Sequence, residues 1–215
     1  TEAVDQAADE ISRLDQLLST GNEDSEIYKI NQSGDGILSE ETAYLVERSL
    51  DLYEATDGAF DIAIYPVMKV WGFTDDNFRV PDADELKDLL TLTDASDISY
   101  DKETSQIVFK KDGMQIDFGG IAKGYTSARI MDIFRACGIK SGLVNLGGNV
   151  QALGTKKDGS SWRVAVQDPQ DTDQYLGVFS IQDKAVITSG GYERYFEQDG
   201  RTYHHIIDQI GRAHV

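Results

Sequence analysis

Apolar residues recur at helical spacing over residues 3–18, where Ala3, Val4, Ala7, Ala8, Ile11, Leu14, Leu17 and Leu18 define one stripe that ends near Gly21. The same period returns over 39–56. There Ser39 is placed to cap the first turn and Asp57-Gly58 to close the last. A short acidic helix is expected over 82–90, after Pro81. From about residue 97 the period shortens to two. The run "SQIVFKKDGMQIDF" (105–118) alternates on both sides of Asp112-Gly113 and predicts a hairpin. Residues 121–134 return to the helical period, and Gly138 ends them. Further strands are predicted at "GLVNLG", "NVQALG", "WRVAVQD", "GVFSIQ", "AVITSG", "RYFEQ" and "TYHHII", with Asp199-Gly200 as a second hairpin turn. Helices early and strands late give an α+β fold, with N-terminal helices and a mostly antiparallel sheet packed with helices. No repeat, low-complexity tract or linker interrupts the pattern, so a single domain is expected.

Composition narrows the partners. The chain has 215 residues, 40% of them hydrophobic, enough for a sizeable core. Its 20 Lys plus Arg stand against 38 Asp plus Glu, a net charge of -18 that disfavours nucleic acid and anionic membrane surfaces. An anionic small ligand would need local relief, from a few cations or a divalent metal. Cys137 is the only cysteine, so no internal disulfide or cysteine metal cluster can form. It falls in the last turn of a predicted helix and is expected to pack in the core. There is no run of 18 apolar residues and no basic-then-apolar leader; the chain opens at Thr1 directly into helix pattern, so a processed or cropped N-terminus is expected.

Four stretches carry candidate chemistry. In "MQIDFGGIAKGYTSARI" (114–130) a glycine pair sits where strand pattern becomes helix pattern, with Lys123 in the first turn and Asp117 beside it. Outward backbone N–H groups and a lysine suit a phosphate; the other reading is that the glycines let two elements pack closely. The spacing matches neither the Walker pattern nor the dinucleotide fingerprint. In "TDGAFDIAIYPVMKVWGF" (56–73), Tyr65, Trp71 and Phe73 are candidate walls for a flat heteroaromatic ligand or else core, and Asp61 needs a partner in so apolar a run. In "GLVNLGGNVQALG" (142–154), Gly147-Gly148 reads as a bulge or tight bend. In "ITSGGYERYFEQDGRTYHHIIDQ" (187–209), Thr188 and Ser189 suit hydrogen bonds to a base or ribose. His204 and His205 are two of the three histidines; on a strand they face opposite sides, and one of them near Asp208 could act as a base toward a hydroxyl.

Taken in order, "TDGAFD", "IDFGGIAKGY", "LVNLGGN", "TSGGYERYF" and "YHHIID" resemble the FAD:protein FMN transferases, the ApbE family, over residues 3–208. The resemblance implies an α+β ApbE (T-fold-like) domain and a Mg2+-dependent enzyme that uses FAD as substrate. Such an enzyme moves FMN onto a Thr or Ser hydroxyl of a target flavoprotein and releases AMP. It implies Ala59, Phe60, Asp61, Asp117 and Lys123 as FAD contacts, Ile206 or Ile207 as another, and Thr188 and Ser189 toward the adenosine. It further implies a Mg2+-binding carbonyl at Gly120, and His204, His205 and Asp117 as catalytic residues. The implied partner is a flavin-acceptor subunit of an NADH:quinone or Rnf-type redox complex. The implied location is extracytoplasmic, in the bacterial periplasm or as a membrane-anchored lipoprotein. Hydrolysis of FAD to FMN and AMP, and flavin binding without catalysis, are the alternatives.

The chain departs from the family pattern at both ends. A preceding strand with a further flavin contact is expected in the family, as is a C-terminal part bearing an Asp and a Thr that ligate Mg2+. Residues 1–209 are therefore expected to be one incomplete domain with impaired transfer. Residues 210–215, which read as a translated sequencing adaptor, are expected to be a non-native tail in which His214 has no role.

Overall fold

The first helical stripe forms α1 (Glu2–Leu18), whose Ala3, Ala7 and Leu14 are buried while Val4 stands exposed on its flank. The protein is represented by a computed structural model that describes residues 2–171, 173–208 and 210–213. Thr1, Gln209, His214 and Val215, where the expected domain and tail begin or end, lie outside them, as does Thr172. The chain divides into two units, one of residues 1–15 and 122–190 and the other of 16–121 and 191–215.

In the first unit, α6 (Ala122–Ala136) buries Ile130 and Met131 and packs on the hairpin of β4 (Gly142–Leu146) and β5 (Asn149–Leu153). The hairpin loop is Gly147-Gly148, with φ of +53° and +82°. Two consecutive left-handed residues match the right-handed strand twist, and glycine takes them without a Cβ clash. The tight bend expected there is thus present. β8 (Ala185–Ile187) pairs antiparallel with β5, and β6 (Trp162–Gln167) with β7 (Tyr175–Ile181) forms a separate antiparallel ribbon. Ala152, Val164 and Ile181 form a small core beneath them, whereas Tyr175, Leu176, Phe179 and Ile187 are each more than half exposed. Cys137 is exposed, contrary to expectation. The helix ends one residue before it, and its Sγ lies 3.5 Å from Gln6 Oε1 at the surface.

In the second unit, α2 (Glu26–Ser33) starts at Ser25, whose Oγ accepts the Tyr28 N–H at 2.9 Å, and ends at Gly34. β1 (Asp35–Ile37) leads to α3 (Glu40–Ala55). Ser39 precedes α3 in extended conformation, but its hydroxyl donates to Glu26 Oε2 at 2.7 Å instead of capping. A 3-10 turn (Ile62–Ile64), α4 (Tyr65–Val70), α5 (Ala83–Leu90) and a second 3-10 turn (Ala95–Asp97) follow. Then come β2 (Ile98–Asp101) and β3 (Gln106–Phe109), in an antiparallel sheet of order β1-β3-β2.

The predicted hairpin at Asp112-Gly113 does not form. Both edges of β3 are occupied, by β1 and β2, so residues 114–118 find other partners. The buried Asn31 side chain takes that place, accepting the Ile116 N–H at 2.7 Å and donating to the Ile116 carbonyl at 2.9 Å.

The second predicted hairpin does form. β9 (Tyr195–Gln198) and β10 (Arg201–His204) are joined by Asp199-Gly200, both at positive φ. Tyr203 points into an aromatic cluster, with centroids 5.2 Å from both Trp71 and Phe196. Trp71 and Phe73 are 2% and 1% exposed. They do not wall a ligand: their faces are taken by Phe78, Phe196 and Tyr203. Trp71 Nε1 donates to the Gly211 carbonyl at 2.9 Å, and Ala213 is fully buried in the same cluster. No helix among the described residues is long and apolar enough to cross a membrane.

Candidate active site

The second unit draws three of the sequence motifs together. The Asp117 N–H donates to the Ile62 carbonyl at 2.9 Å, which ties "IDFGG" to the residues after "TDGAFD". Asp117 Oδ1 then accepts the Gly119 N–H at 2.7 Å, an Asx turn that shapes the loop. A Cβ at Gly119 would lie 2.7 Å from Asp117 Oδ1, and one at Gly120 would lie 2.9 Å from Phe60 Cε2. Both glycines therefore admit close neighbours, and both remain exposed. Burial pushes the Asp117 carboxyl up, against the Gly119 N–H and the nearby Arg194 charge. Asp117 thus orients the loop.

Asp61 finds the partners that the apolar run requires. Its Oδ1 accepts the Ala63 N–H at 2.7 Å and its Oδ2 the Ala95 N–H at 3.1 Å, so one carboxylate holds both 3-10 turns. Burial pushes it up to about 6; the two N–H groups oppose this and Asp94 adds to it. Ala59 is exposed and Phe60 half-buried, its backbone N–H accepted by Thr56 Oγ1 at 3.0 Å.

The two histidines occupy different settings. His204 ends β10 on the face opposite Tyr203, and its ring lies against Gly191, where a Cβ would approach Cδ2 to 2.7 Å. Its Nδ1 is buried without a hydrogen-bond partner among the described residues. His205 follows the strand, and its backbone N–H and its ring Nδ1 both meet the Arg194 carbonyl, at 3.1 and 3.2 Å. A carbonyl can only accept, so Nδ1 carries the proton and Nε2 in the neutral ring carries the lone pair.

Asp208 does not orient either ring. It accepts the Arg212 N–H at 2.8 Å and Nε at 2.7 Å; burial raises its carboxyl, but these bonds and the Ile210 N–H hold it below the usual range. Ile206 is 41% exposed, while Ile207 packs on the aromatic cluster. Arg194 escaped the sequence reading, although a cation inside "TSGGYERYF" in so acidic a chain was a usable signal.

In the first unit, Lys123 is exposed and its Nζ donates to the Gly147 carbonyl at 3.1 Å. Asn145 Oδ1 accepts the Gly148 N–H at 3.1 Å, and the Thr188 N–H donates to the Gly148 carbonyl at 3.3 Å. Lys123, the Gly147-Gly148 turn and Thr188 therefore form one polar group, with Ser189 exposed next to it. Among the described residues no group of three His, Cys, Asp or Glu could hold a metal ion.

The chain matches the ApbE family over residues 1–211. The FAD:protein FMN transferase of Klebsiella pneumoniae (strain 342) is 34% identical over 202 residues, covering 92% of this chain and 62% of the relative. That of Treponema pallidum (strain Nichols) is 36% identical over 217 residues, covering 93% and 60%. The crystal structure of the ApbE protein from Thermotoga maritima superposes with a TM-score of 0.93 at 33% identity, over 98% of this chain and 70% of that one. The apo flavinyl transferase ApbE of Pseudomonas stutzeri gives 0.86 at 31%, over 98% and 66%. The chain spans about 60% of the length of the curated relatives it matches. With its ordered motifs and its fold both matched, the chain belongs to the ApbE family.

Proposed function

We propose that the chain carries the flavin-nucleotide site of an FAD:protein FMN transferase. The observation that supports this best is His205: its Nδ1 is committed to the Arg194 carbonyl, which makes Nε2 the proton acceptor, in the same unit as the Asp117–Gly120 turn. The acceptor's Thr or Ser oxygen attacks the FMN phosphorus of FAD. The P–O bond to AMP breaks, AMP leaves with that oxygen, and the hydroxyl proton passes to His205 Nε2. Positioning and charge neutralisation carry most of such a reaction. In the second unit the Gly119-Gly120 turn presents exposed backbone to the diphosphate. Mg2+, when bound, neutralises the diphosphate charge. The described residues offer it one assigned donor, the Gly120 carbonyl, which falls short of a near-octahedral oxygen shell, so no step is assigned to the ion. The motif resemblance supports an acceptor subunit of an NADH:quinone or Rnf-type complex, and an extracytoplasmic site of action in the periplasm or on a lipoprotein anchor.

The test incubates the chain with FAD, Mg2+ and an acceptor protein, and measures acceptor mass and AMP. Equal gains of bound FMN and AMP above the protein-free control, lost in His205→Ala, are expected. AMP with free FMN would replace transfer by hydrolysis, FAD bound but left intact would reduce the chain to flavin binding, and a folded chain that neither binds nor turns over FAD would overturn all three.

A further inference from the structure

The β9–β10 register pairs His204 with Tyr195, and the next rung outward places Arg194 opposite His205. On that rung one carbonyl takes two donors from one residue, the His205 backbone N–H at 3.1 Å and its ring Nδ1 at 3.2 Å. A carbonyl in a bend ahead of a strand is not fixed by the ladder alone. Here the Arg194 guanidinium reaches back and donates through Nη2 to the Phe73 carbonyl, in the buried aromatic cluster. The side chain thus anchors the residue whose main chain holds the imidazole.

We propose that Arg194 is the positioning residue for His205: its guanidinium pins the bend to the core, and its carbonyl thereby holds the ring as the Nδ1–H tautomer with Nε2 unprotonated. The role as base rests on the functional reading above; the tautomer does not. An imidazole without such a partner favours the Nε2–H form, which would present a proton where the acceptor hydroxyl needs a lone pair. A second partner at the ring does not alter the assignment, because the carbonyl dictates which nitrogen carries hydrogen.

The experiment is 15N-edited NMR of the His205 ring in alkaline buffer, on the full 215-residue chain. Wild type is expected to show a protonated Nδ1 and an unprotonated Nε2. Arg194→Ala is expected to shift the population several-fold toward Nε2–H, and Arg194→Lys, which keeps a donor for the Phe73 carbonyl, to restore much of it. Flavin transfer, where measured, should fall at least tenfold in kcat for Arg194→Ala with a smaller change in KM for FAD. A wild-type ring in the Nε2–H form overturns the proposal without any variant, as does an unchanged tautomer in a folded Arg194→Ala. Because the ring signal needs no turnover, a correct tautomer in a chain that neither binds FAD nor transfers FMN would remove the functional reading and leave the positioning role standing.

Discussion

Gly120 shows how a single missing methyl group can decide local geometry. Replacing a glycine of ordinary φ by alanine normally stabilises by about 0.4–1 kcal/mol, by restricting the unfolded chain. Here the new Cβ would meet Phe60 Cε2 at 2.9 Å, so the half-buried ring must turn aside and gives up part of its packing, which offsets that gain. Gly120→Ala is therefore expected to be less favourable to stability in urea when made alone than in a Phe60→Ala background. Equal effects in the two backgrounds would show that the ring and the glycine do not meet. Asp61 makes a second prediction. Its carboxyl rises from an ordinary 3.8 to about 6 on folding, so between these values the native state binds more protons than the unfolded one, and stability falls as pH rises. Urea titrations from pH 4 to 6 should show wild type losing on the order of 2 kcal/mol relative to Asp61→Asn, with little further divergence above pH 7. A parallel course of the two proteins would contradict the assignment. At this scale the sequence exposed the need of Asp61 for a partner, but not the partners. They are the backbone N–H groups of Ala63 and of distant Ala95, and residue types carry no trace of main-chain hydrogen bonds.

Elements were legible where local chemistry and tertiary pairing agree. Asp199-Gly200 and Asp112-Gly113 are equivalent turn signals, yet only the first closes a hairpin. The difference lies elsewhere in the chain. β1 and β2 occupy both sides of β3, and Asn31 supplies a side-chain substitute for the missing strand partner of Ile116. Helix α2 went unseen because its eight residues carry too short a stripe, and what defines it is the Ser25 cap and the left-handed Gly34. By contrast α1, α6 and the Gly147-Gly148 bend follow the pattern closely, since each has a long period or an obligatory positive φ. The same local logic set the two histidines apart but could not show what anchors His205. Asp208 lies three residues from His205 in sequence, whereas the Arg194 carbonyl reaches it only through the hairpin register.

At the scale of the whole molecule, a chain with a net charge of -18 is assigned an anionic ligand, and the local arrangement makes that reasonable. In the second unit the Asp117 carboxylate is turned onto the Gly119 N–H, with Arg194 close enough to weigh on its charge. In the first unit Lys123 stands exposed beside Gly147. Exposed Tyr175, Leu176, Phe179 and Ile187 leave an apolar face on that unit, in a chain that spans about 60% of the length of its curated relatives. That the Asp117–Gly120 turn holds the diphosphate of a flavin nucleotide is the proposal on which the function rests. It is tested most directly by calorimetric titration of the chain with FAD and, separately, with riboflavin, in the presence of Mg2+. Saturable binding of FAD is expected, with riboflavin, which lacks both phosphates, at least tenfold weaker; equal affinity for the two, or no heat from FAD, would contradict the assignment.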